Sequence, residues 1–306
     1  MLCVLLVRFS SIGDILLTTP LVRALARRHP EARLVYVTKR TMAPLVADNP
    51  HLAEVVTLEP DEPIRHLARR LRTFTPTHGL DLHGSIRSAG LRLLVRCHWS
   101  GYRKRKFARA LLIATKVDAY RRRTSVAERY FEAARRLDAQ PDGGPPEFCL
   151  GPGARDRAAQ WLAERGVADV PIAALAPGAA HATKRWPIAH WSALVERLRV
   201  AGYSPVVVGG PDDRGLAQQL AAAGAAVSAA GECSLQETGG LLARARVVVS
   251  QFGFLPYRAR SLVLERTLDC RPCSATGTAS CPLGHHRCLA DITPADVVAA
   301  VERLVA

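Results

Sequence analysis

Aromatic residues are scarce in this chain, at 6% of 306 residues. No RNP-like aromatic motif, KH loop or zinc-finger spacing is present, so the common nucleic-acid-binding modules gain no support. Long apolar runs are missing too: no stretch approaches the roughly 18 uncharged apolar residues of a membrane-spanning helix. Charge returns at Arg8, too soon for the apolar region of a signal peptide, so none is expected. No GxGxxG follows a strand and no GK[S/T] opens a helix, which disfavours a dinucleotide fingerprint and a P-loop. Acidic side chains are outnumbered, 27 Asp and Glu against 42 Lys and Arg, for a formal net charge of +15. That excess predicts an anionic partner: nucleic acid, an acidic lipid face or a phosphorylated substrate. An Arg- and Ala-rich composition alone also produces it.

What is present is organised around the first twenty residues, MLCVLLVRFSSIGDILLTTP. Residues 2–7 are almost wholly apolar and read as a buried parallel strand. The loop 8–14 follows, and apolar spacing at Ile15, Leu16, Leu17, Leu21 and Leu25 then predicts a helix. A strand, a tight Ser/Gly loop and a helix put small polar groups and free backbone N–H groups at the carboxyl end of a parallel sheet. Ligands of open α/β sheets bind there. Asp14 is then a carboxylate at the mouth of a candidate site, beside Ser10, Ser11 and Gly13.

The pattern repeats. Strands are predicted at 33–38 and 54–58, with helices at 41–49 and 64–74, the signature of a parallel α/β sheet. A further short strand ends near Leu82, with His83 and Gly84 in the turn and Ser85 capping a helix over 87–94. His83 and Arg87 thus return to the same topological place as Asp14; a capped helix with a turn histidine is the plainer alternative. Residues 103–123 are strongly basic with interleaved Phe107, Ala110, Leu111 and Ile113, a pattern suited to an anionic membrane, to phosphates or simply to solvent. A helix is predicted over 126–137. The run 141–146, PDGGPP, reads as a boundary, dividing the chain into domains 1–145 and 146–306.

Beyond it, helices are predicted at 154–165, 189–199, 216–223 and 235–244, with strands at 172–176, 203–208 and 246–250 and a short one at Val227. Pro177 and Gly178 follow the first of these strands, and Gly210 and Asp212 follow the second; small residues there let a ligand approach the backbone. Thr183, Lys184 and Arg185 lie close by. Lys184 and Arg185 are candidates to neutralise a diphosphate with help from backbone N–H groups. Two similar α/β halves predict a ligand held between them.

At this point the chain resembles a known family. Arg8-Phe9-Ser10-Ser11-Ile12-Gly13-Asp14 with Pro20, Asp81-Leu82-His83-Gly84 with Arg87-Ser88, and Thr183-Lys184-Arg185-Trp186-Pro187 with His190-Trp191 together resemble the heptosyltransferases of lipopolysaccharide inner-core synthesis, glycosyltransferase family 9. The tail 281–288 with Asp291-Ile292 is similar to that of many members. The resemblance implies a GT-B fold, two Rossmann-like domains facing across a cleft, with acceptor binding in the first and the nucleotide sugar in the second. It implies inverting transfer of heptose from a nucleotide-activated donor, typically ADP-heptose. The acceptor would be an anionic phosphorylated glycolipid at the cytoplasmic face of the inner membrane. It implies no catalytic metal and no nucleic-acid partner. By motif, Asp14 would be the general base, Lys184 would contact donor phosphate, and Arg87 would hold an anionic acceptor group. On that basis Asp14→Asn is expected to leave folding intact while lowering turnover.

The chain also departs from the family. After the strand ending at Ser250, the family runs into a donor-binding loop and helix; here Gln251-Phe252-Gly253-Phe254-Leu255-Pro256-Tyr257 follows at once and resembles sequence found beyond that block. A non-catalytic nucleotide- or glycan-binding protein on the same fold is therefore an alternative, and a basic nucleic-acid-binding protein is a third. Of eight cysteines, Cys3, Cys97, Cys149 and Cys233 are scattered and read as buried thiols. Cys270, Cys273, Cys281 and Cys288 form a cluster within 270–288, whose spacing leaves structural zinc, free thiols or a disulfide open. Residues 293–305 predict a closing helix with Thr293 as N-cap.

Overall fold

A computed structural model describes residues 1–120, 124–222, 226–251, 256–257 and 259–306. Arg121, Arg122 and Arg123 of the basic run, Ala223 at the end of the helix predicted over 216–223, and Phe252, Gly253, Phe254 and Leu255 of the departing segment lie outside these. The chain divides into two compact units. The first comprises residues 1–104, 121–151 and 257–259, and the second residues 105–120, 152–256 and 260–306. The main crossing falls at 151/152, six residues beyond the boundary predicted at 145/146.

The first unit is built on five parallel strands: β1 (Cys3–Val7), β2 (Arg33–Lys39), β3 (Glu54–Leu58), β4 (His78–Asp81) and β5 (His98–Gly101). Their order is β3-β2-β1-β4-β5. Every residue of β1 is buried, because helices cover both faces of a parallel sheet and each face must be apolar. Its helices are α1 (Ile12–Leu16), α2 (Thr19–Arg28), α3 (Ile64–Arg72) and α4 (Ile86–Leu94). Leu67, Ala68 and Leu71 of α3 and Leu91 of α4 close one face over Leu5, Val7, Val35 and Val37. The stretch predicted as a helix over 41–49 is instead a 3-10 turn, Arg40–Leu45, with Pro44 inside it; proline removes a backbone donor there.

The predicted linker is docked rather than free. Arg23, on α2 and almost fully buried, donates through Nε and Nη2 to both carboxylate oxygens of Asp142 (2.6 and 2.8 Å) and through Nη1 to Pro145 O (3.0 Å). The same Nη1 lies 2.7 Å from Glu147 Oε1. Glycine and proline signal the loss of regular structure here, but not that a cation 119 residues earlier holds the segment down.

The second unit opens with the separate helix α5 (Lys106–Thr115). The chain returns through the first unit's α6 (Val126–Tyr130) and a 3-10 turn, Phe131–Leu137, so the single helix predicted over 126–137 is split. The second sheet follows: β6 (Ile172–Ala176), β7 (Ser204–Val207), β8 (Val227–Ser228) and β9 (Val247–Ser250), ordered β8-β7-β6-β9 and parallel throughout. Around it lie α7 (Ala154–Glu164), α8 (Ile188–Val200), α9 (Arg214–Ala221), α10 (Leu235–Arg244), α11 (Arg287–Ala290) and α12 (Pro294–Val305). Trp186, Trp191, Leu194 and Leu198 pack with Val297 and Val301 of α12 in one core, and Leu162 with Val206 and Leu241 in the other. Among the described residues no helix or strand lies between β9 and α11, so the second sheet is one strand narrower than the first.

Candidate active site

In the first sheet the strand order reverses between β1 and β4, and the loops leaving their carboxyl ends diverge there. Such a switch point is where open α/β sheets hold ligands. Asp14 sits on it. It lies inside α1, which starts three residues earlier than the predicted helix because Ser11 caps it: Ser11 Oγ donates to Asp14 Oδ2 (2.9 Å) and the Ser11 N–H reaches the same oxygen (3.4 Å). Pro20 then opens α2 as a separate helix.

Two residues outside the predicted set hold the Asp14 carboxylate. Arg8 Nη2 stands 2.6 Å from Asp14 Oδ2, with the two side chains 8% and 21% exposed. Arg8 Nη1 donates to Leu82 O (2.6 Å), so one guanidinium ties the β1 loop to the β4 loop. The Tyr130 hydroxyl donates to Asp14 Oδ1 (3.3 Å) from α6. Burial works against the Arg8 charge, but Tyr130, Asp14 and Tyr102 outweigh it and its pKa is raised. Burial pushes the Tyr130 phenol well above its usual range, so it stays protonated and donating.

His83 lies beside this group, its ring edge-on to Phe9 at 5.3 Å between centroids. Burial, with Arg8 and Lys104 near it, lowers its pKa to about 4, so the imidazole is neutral at pH 7. Its Nδ1 is buried with no hydrogen-bond partner among the described residues. The loop around it is set by Asp81, which accepts from His83 N (3.0 Å), Gly84 N (2.7 Å) and Ser88 Oγ (3.0 Å). Arg87 is exposed on the first turn of α4, with no ion pair among the described residues. Ser10 is half-buried, Ser11 is exposed, and a Cβ on Gly13 would meet no atom within 4 Å. The first unit therefore gathers Ser11, Asp14 and His83 around Arg8 and leaves Arg87 free at the rim. A separate groove lined by Arg72, Thr75, Leu94 and Arg96 lies at the amino end of β4, opposite the end that carries these groups.

The second sheet repeats the scheme, with its switch point between β6 and β9. Pro177 and Gly178 leave β6. The Asp213 carboxylate packs so closely that a Cβ on Gly178 or Gly209 would collide with it, and its Oδ2 accepts from Gly210 N (2.9 Å). Asp213, not the exposed Asp212 singled out from the sequence, therefore joins the β6 and β7 loops. Gln251 spans the switch point, donating to Pro177 O and accepting from Trp186 N. Thr183 is engaged elsewhere: its Oγ1 donates to Thr278 O (3.2 Å) and accepts from Thr278 N (2.8 Å). Lys184 is half-buried on the 3-10 turn after this loop, its ammonium without a partner among the described residues, while Arg185 donates to Ala179 O (2.8 Å).

A model of glycosyltransferase family 9 (heptosyltransferase) matches residues 64–251, more than half of the chain. The chain belongs to that family. Lipopolysaccharide heptosyltransferase 1 of Pseudomonas aeruginosa is 30% identical over 216 residues, 66% of this chain and 59% of that relative's length. The crystal structure of a family 9 glycosyl transferase from Veillonella parvula superposes with a TM-score of 0.80 at 18% identity, covering 99% of this chain and 97% of that one. E. coli ADP-heptose LPS heptosyltransferase II gives a TM-score of 0.74 at 20% identity, covering 100% and 98%. These superpositions show the GT-B fold, two Rossmann-like units, along the chain, including the Asp14 loop that the family match leaves out. The family match ends at Gln251.

The cysteine segment lies in the second unit. None of the eight cysteines is in a disulfide; of the four scattered ones Cys3 is buried as expected, while Cys97, Cys149 and Cys233 are only half-buried. Cys270 Sγ lies 4.0 Å from His285 Nε2. Backbone N–H groups of His286, Leu283, Gly284 and His285 aim at Cys281 and lower its pKa. Burial raises the pKa of Cys288, and Cys273, Cys281 and Cys270 add to the rise. Among the described residues no three His, Cys, Asp or Glu side chains are gathered closely enough to hold a metal ion.

Proposed function

We propose that the chain transfers a heptose, with inversion, from a nucleotide-diphosphate donor such as ADP-heptose to an anionic phosphorylated glycolipid of the lipopolysaccharide inner core, at the cytoplasmic face of the inner membrane. The observation that carries this reading is Asp14: a carboxylate braced by Ser11, Arg8 and Tyr130 at the switch point of the first sheet, with open space at Gly13 beside it.

An acceptor hydroxyl attacking the anomeric carbon must lose its proton. A carboxylate within hydrogen-bond reach takes it. An aspartate is a weak base at pH 7, so the transfer is late, once the C–O bond to the sugar has begun to form and the hydroxyl has become acidic. The sugar–phosphate bond breaks in the same step and the diphosphate leaves with its electrons. Its growing charge is met best by cationic and N–H donors that interact more strongly with the transition state than with the bound donor. Lys184, with no competing partner among the described residues, and the backbone at Pro177 and Gly178 are assigned that task. Arg87, exposed on α4 and in no ion pair among the described residues, is assigned the acceptor's anionic group.

The test is product formation from ADP-heptose and a heptose-deficient inner-core lipid, with donor titration of wild type and Lys184→Ala. Turnover with donor affinity weakened about tenfold or more in the variant is expected, as for loss of a charge-assisted phosphate contact. Tight donor binding without turnover would favour the non-catalytic reading. Preferential, salt-sensitive binding of single-stranded or duplex nucleic acid would favour the third.

For the cysteine segment we propose structural zinc, held by Cys270, Cys273, Cys281 and Cys288. The backbone N–H groups that lower the Cys281 pKa favour the thiolate, the ligand form, there; Cys288, whose pKa is raised, would be deprotonated by the metal itself. Zinc would have to draw the four sulfurs together. Elemental analysis of protein purified without chelator should find about one zinc per chain; a zinc-free folded protein overturns the assignment.

A further inference from the structure

Helix α5 is built inside out. A surface helix normally turns its apolar stripe to the core, yet no residue of α5 is buried. Its exposed face is instead the apolar one: Phe107 is 93% exposed, Leu111 43% and Val117, just past the helix, 58%, with Ala110 and Ala114 completing the i, i+3, i+4, i+7 row. The opposite face, with Leu112 and Ile113, is half-buried. The helix is anchored at its end by Lys116, whose Nζ donates to Cys270 O (3.1 Å) and Pro272 O (2.8 Å).

The charge beside this stripe is mostly of one sign. Residues 105–118 include Arg105, Lys106, Arg109 and Lys116 against a single acidic residue, Asp118. We infer that α5 is an interfacial docking helix that inserts Phe107 and Leu111 among the acyl chains of an anionic phospholipid bilayer while Lys106 meets its headgroups. An outward apolar stripe with a basic collar is what such a surface binds, gaining both apolar burial and electrostatic attraction. A second copy is a poor occupant, because two-fold pairing would set the two basic collars against each other. A nucleic acid would satisfy the collar but leave the stripe in water. The inference deepens the proposed reading by supplying the contact with a lipid-borne acceptor. It rests on that reading for its purpose alone; the binding itself requires neither donor nor acceptor.

The experiment is co-sedimentation of the full chain with phosphatidylglycerol vesicles and with phosphatidylcholine vesicles, for wild type, Phe107→Ser/Leu111→Ser and Lys106→Gln. Wild type should bind the anionic vesicles and not the neutral ones. The serine variant should bind them at least ~10-fold more weakly, the loss of a buried Phe and part of a Leu. The glutamine variant should lose about fivefold, with a shallower salt dependence. Melting temperature and turnover on a water-soluble, delipidated acceptor should be unchanged, since these side chains point to solvent. If that turnover is absent while vesicle binding behaves as described, the proposed function fails and the docking helix stands. Equal vesicle binding by wild type and the serine variant overturns the docking helix, as does failure of wild type to bind phosphatidylglycerol. So does a concentration-dependent dimer, without vesicles, that the serine variant abolishes.

Discussion

Replacing Asp14 by Asn should cost stability as well as turnover. The carboxylate is the ion-pair partner of Arg8, at 2.6 Å, and the Arg8 side chain is 8% exposed. Removing one partner of a buried pair leaves the other charge without compensation, typically about 3–5 kcal/mol. Two features reduce that here. Arg8 keeps its bond to Leu82 O, and the new amide can keep its one oxygen toward Arg8 and Ser11 and turn its NH2 to the Tyr130 hydroxyl oxygen. A loss of about 2–3 kcal/mol is expected, which lowers the melting temperature by roughly 6–12 °C for a unit of this size. Turnover should fall by about 10²–10⁴ from loss of the base. The two effects separate in the double variant Arg8→Met/Asp14→Asn, which removes both charges. Most of the stability should return and none of the turnover. Thermal melts and initial rates, with single and double variants in one cycle, measure both. Turnover within a few-fold of wild type in Asp14→Asn would refute the base. A wild-type melting temperature in that variant would refute the buried pair, and recovered turnover in the double variant would likewise refute the base.

Three further substitutions test other contacts of the two units. Asp142→Ala should destabilise the first unit by about 2–4 kcal/mol, since Arg23 is nearly buried and keeps only Glu147 as an ionic partner. Because Arg23 holds the folded Asp142 pKa far below the ordinary value, the unfolded chain takes up its proton first; wild type should lose the difference as pH falls below about 4, as urea midpoints against pH would show. His83 has a folded pKa of about 4, below its unfolded value, so wild-type stability should fall between pH 6.5 and 4, and His83→Gln should flatten that slope. Gly178→Ala puts a methyl group into the Asp213 carboxylate and should destabilise the second unit by about 1–3 kcal/mol and weaken donor binding, read by melting and donor titration.

The sequence carries the sheets well because their chemistry is local. Residues of β1 must be apolar on both faces, and a Ser/Gly loop must follow, so the strand and the place of Asp14 are legible from twenty residues. The groups that brace Asp14 are not. Arg8 reads as the charge that ends a strand, and its partner carbonyl is 74 residues away; Tyr130 is 116 residues from Asp14 and sits in an ordinary amphipathic pattern. Asp213 shows the limit of composition: two adjacent aspartates look alike until the backbone turns one toward Gly178 and Gly210. A Ser-x-x-Asp spacing at 11–14 was available as a helix-start signal and would have placed the onset of α1 correctly.

The β4 loop separates what shapes it from what it displays. Asp81 and Ser88, both buried, fix its backbone through bonds to His83 N, Gly84 N and each other. Ile86, 93% exposed, and the exposed Arg87 take no part in those bonds. Side chains at these two positions can be exchanged by single substitutions at little cost to folding. On the proposed reading of Arg87, a lineage could therefore alter the acceptor met at the α4 tip while Asp14 and its braces stay as they are, so that new specificity is reachable in small steps.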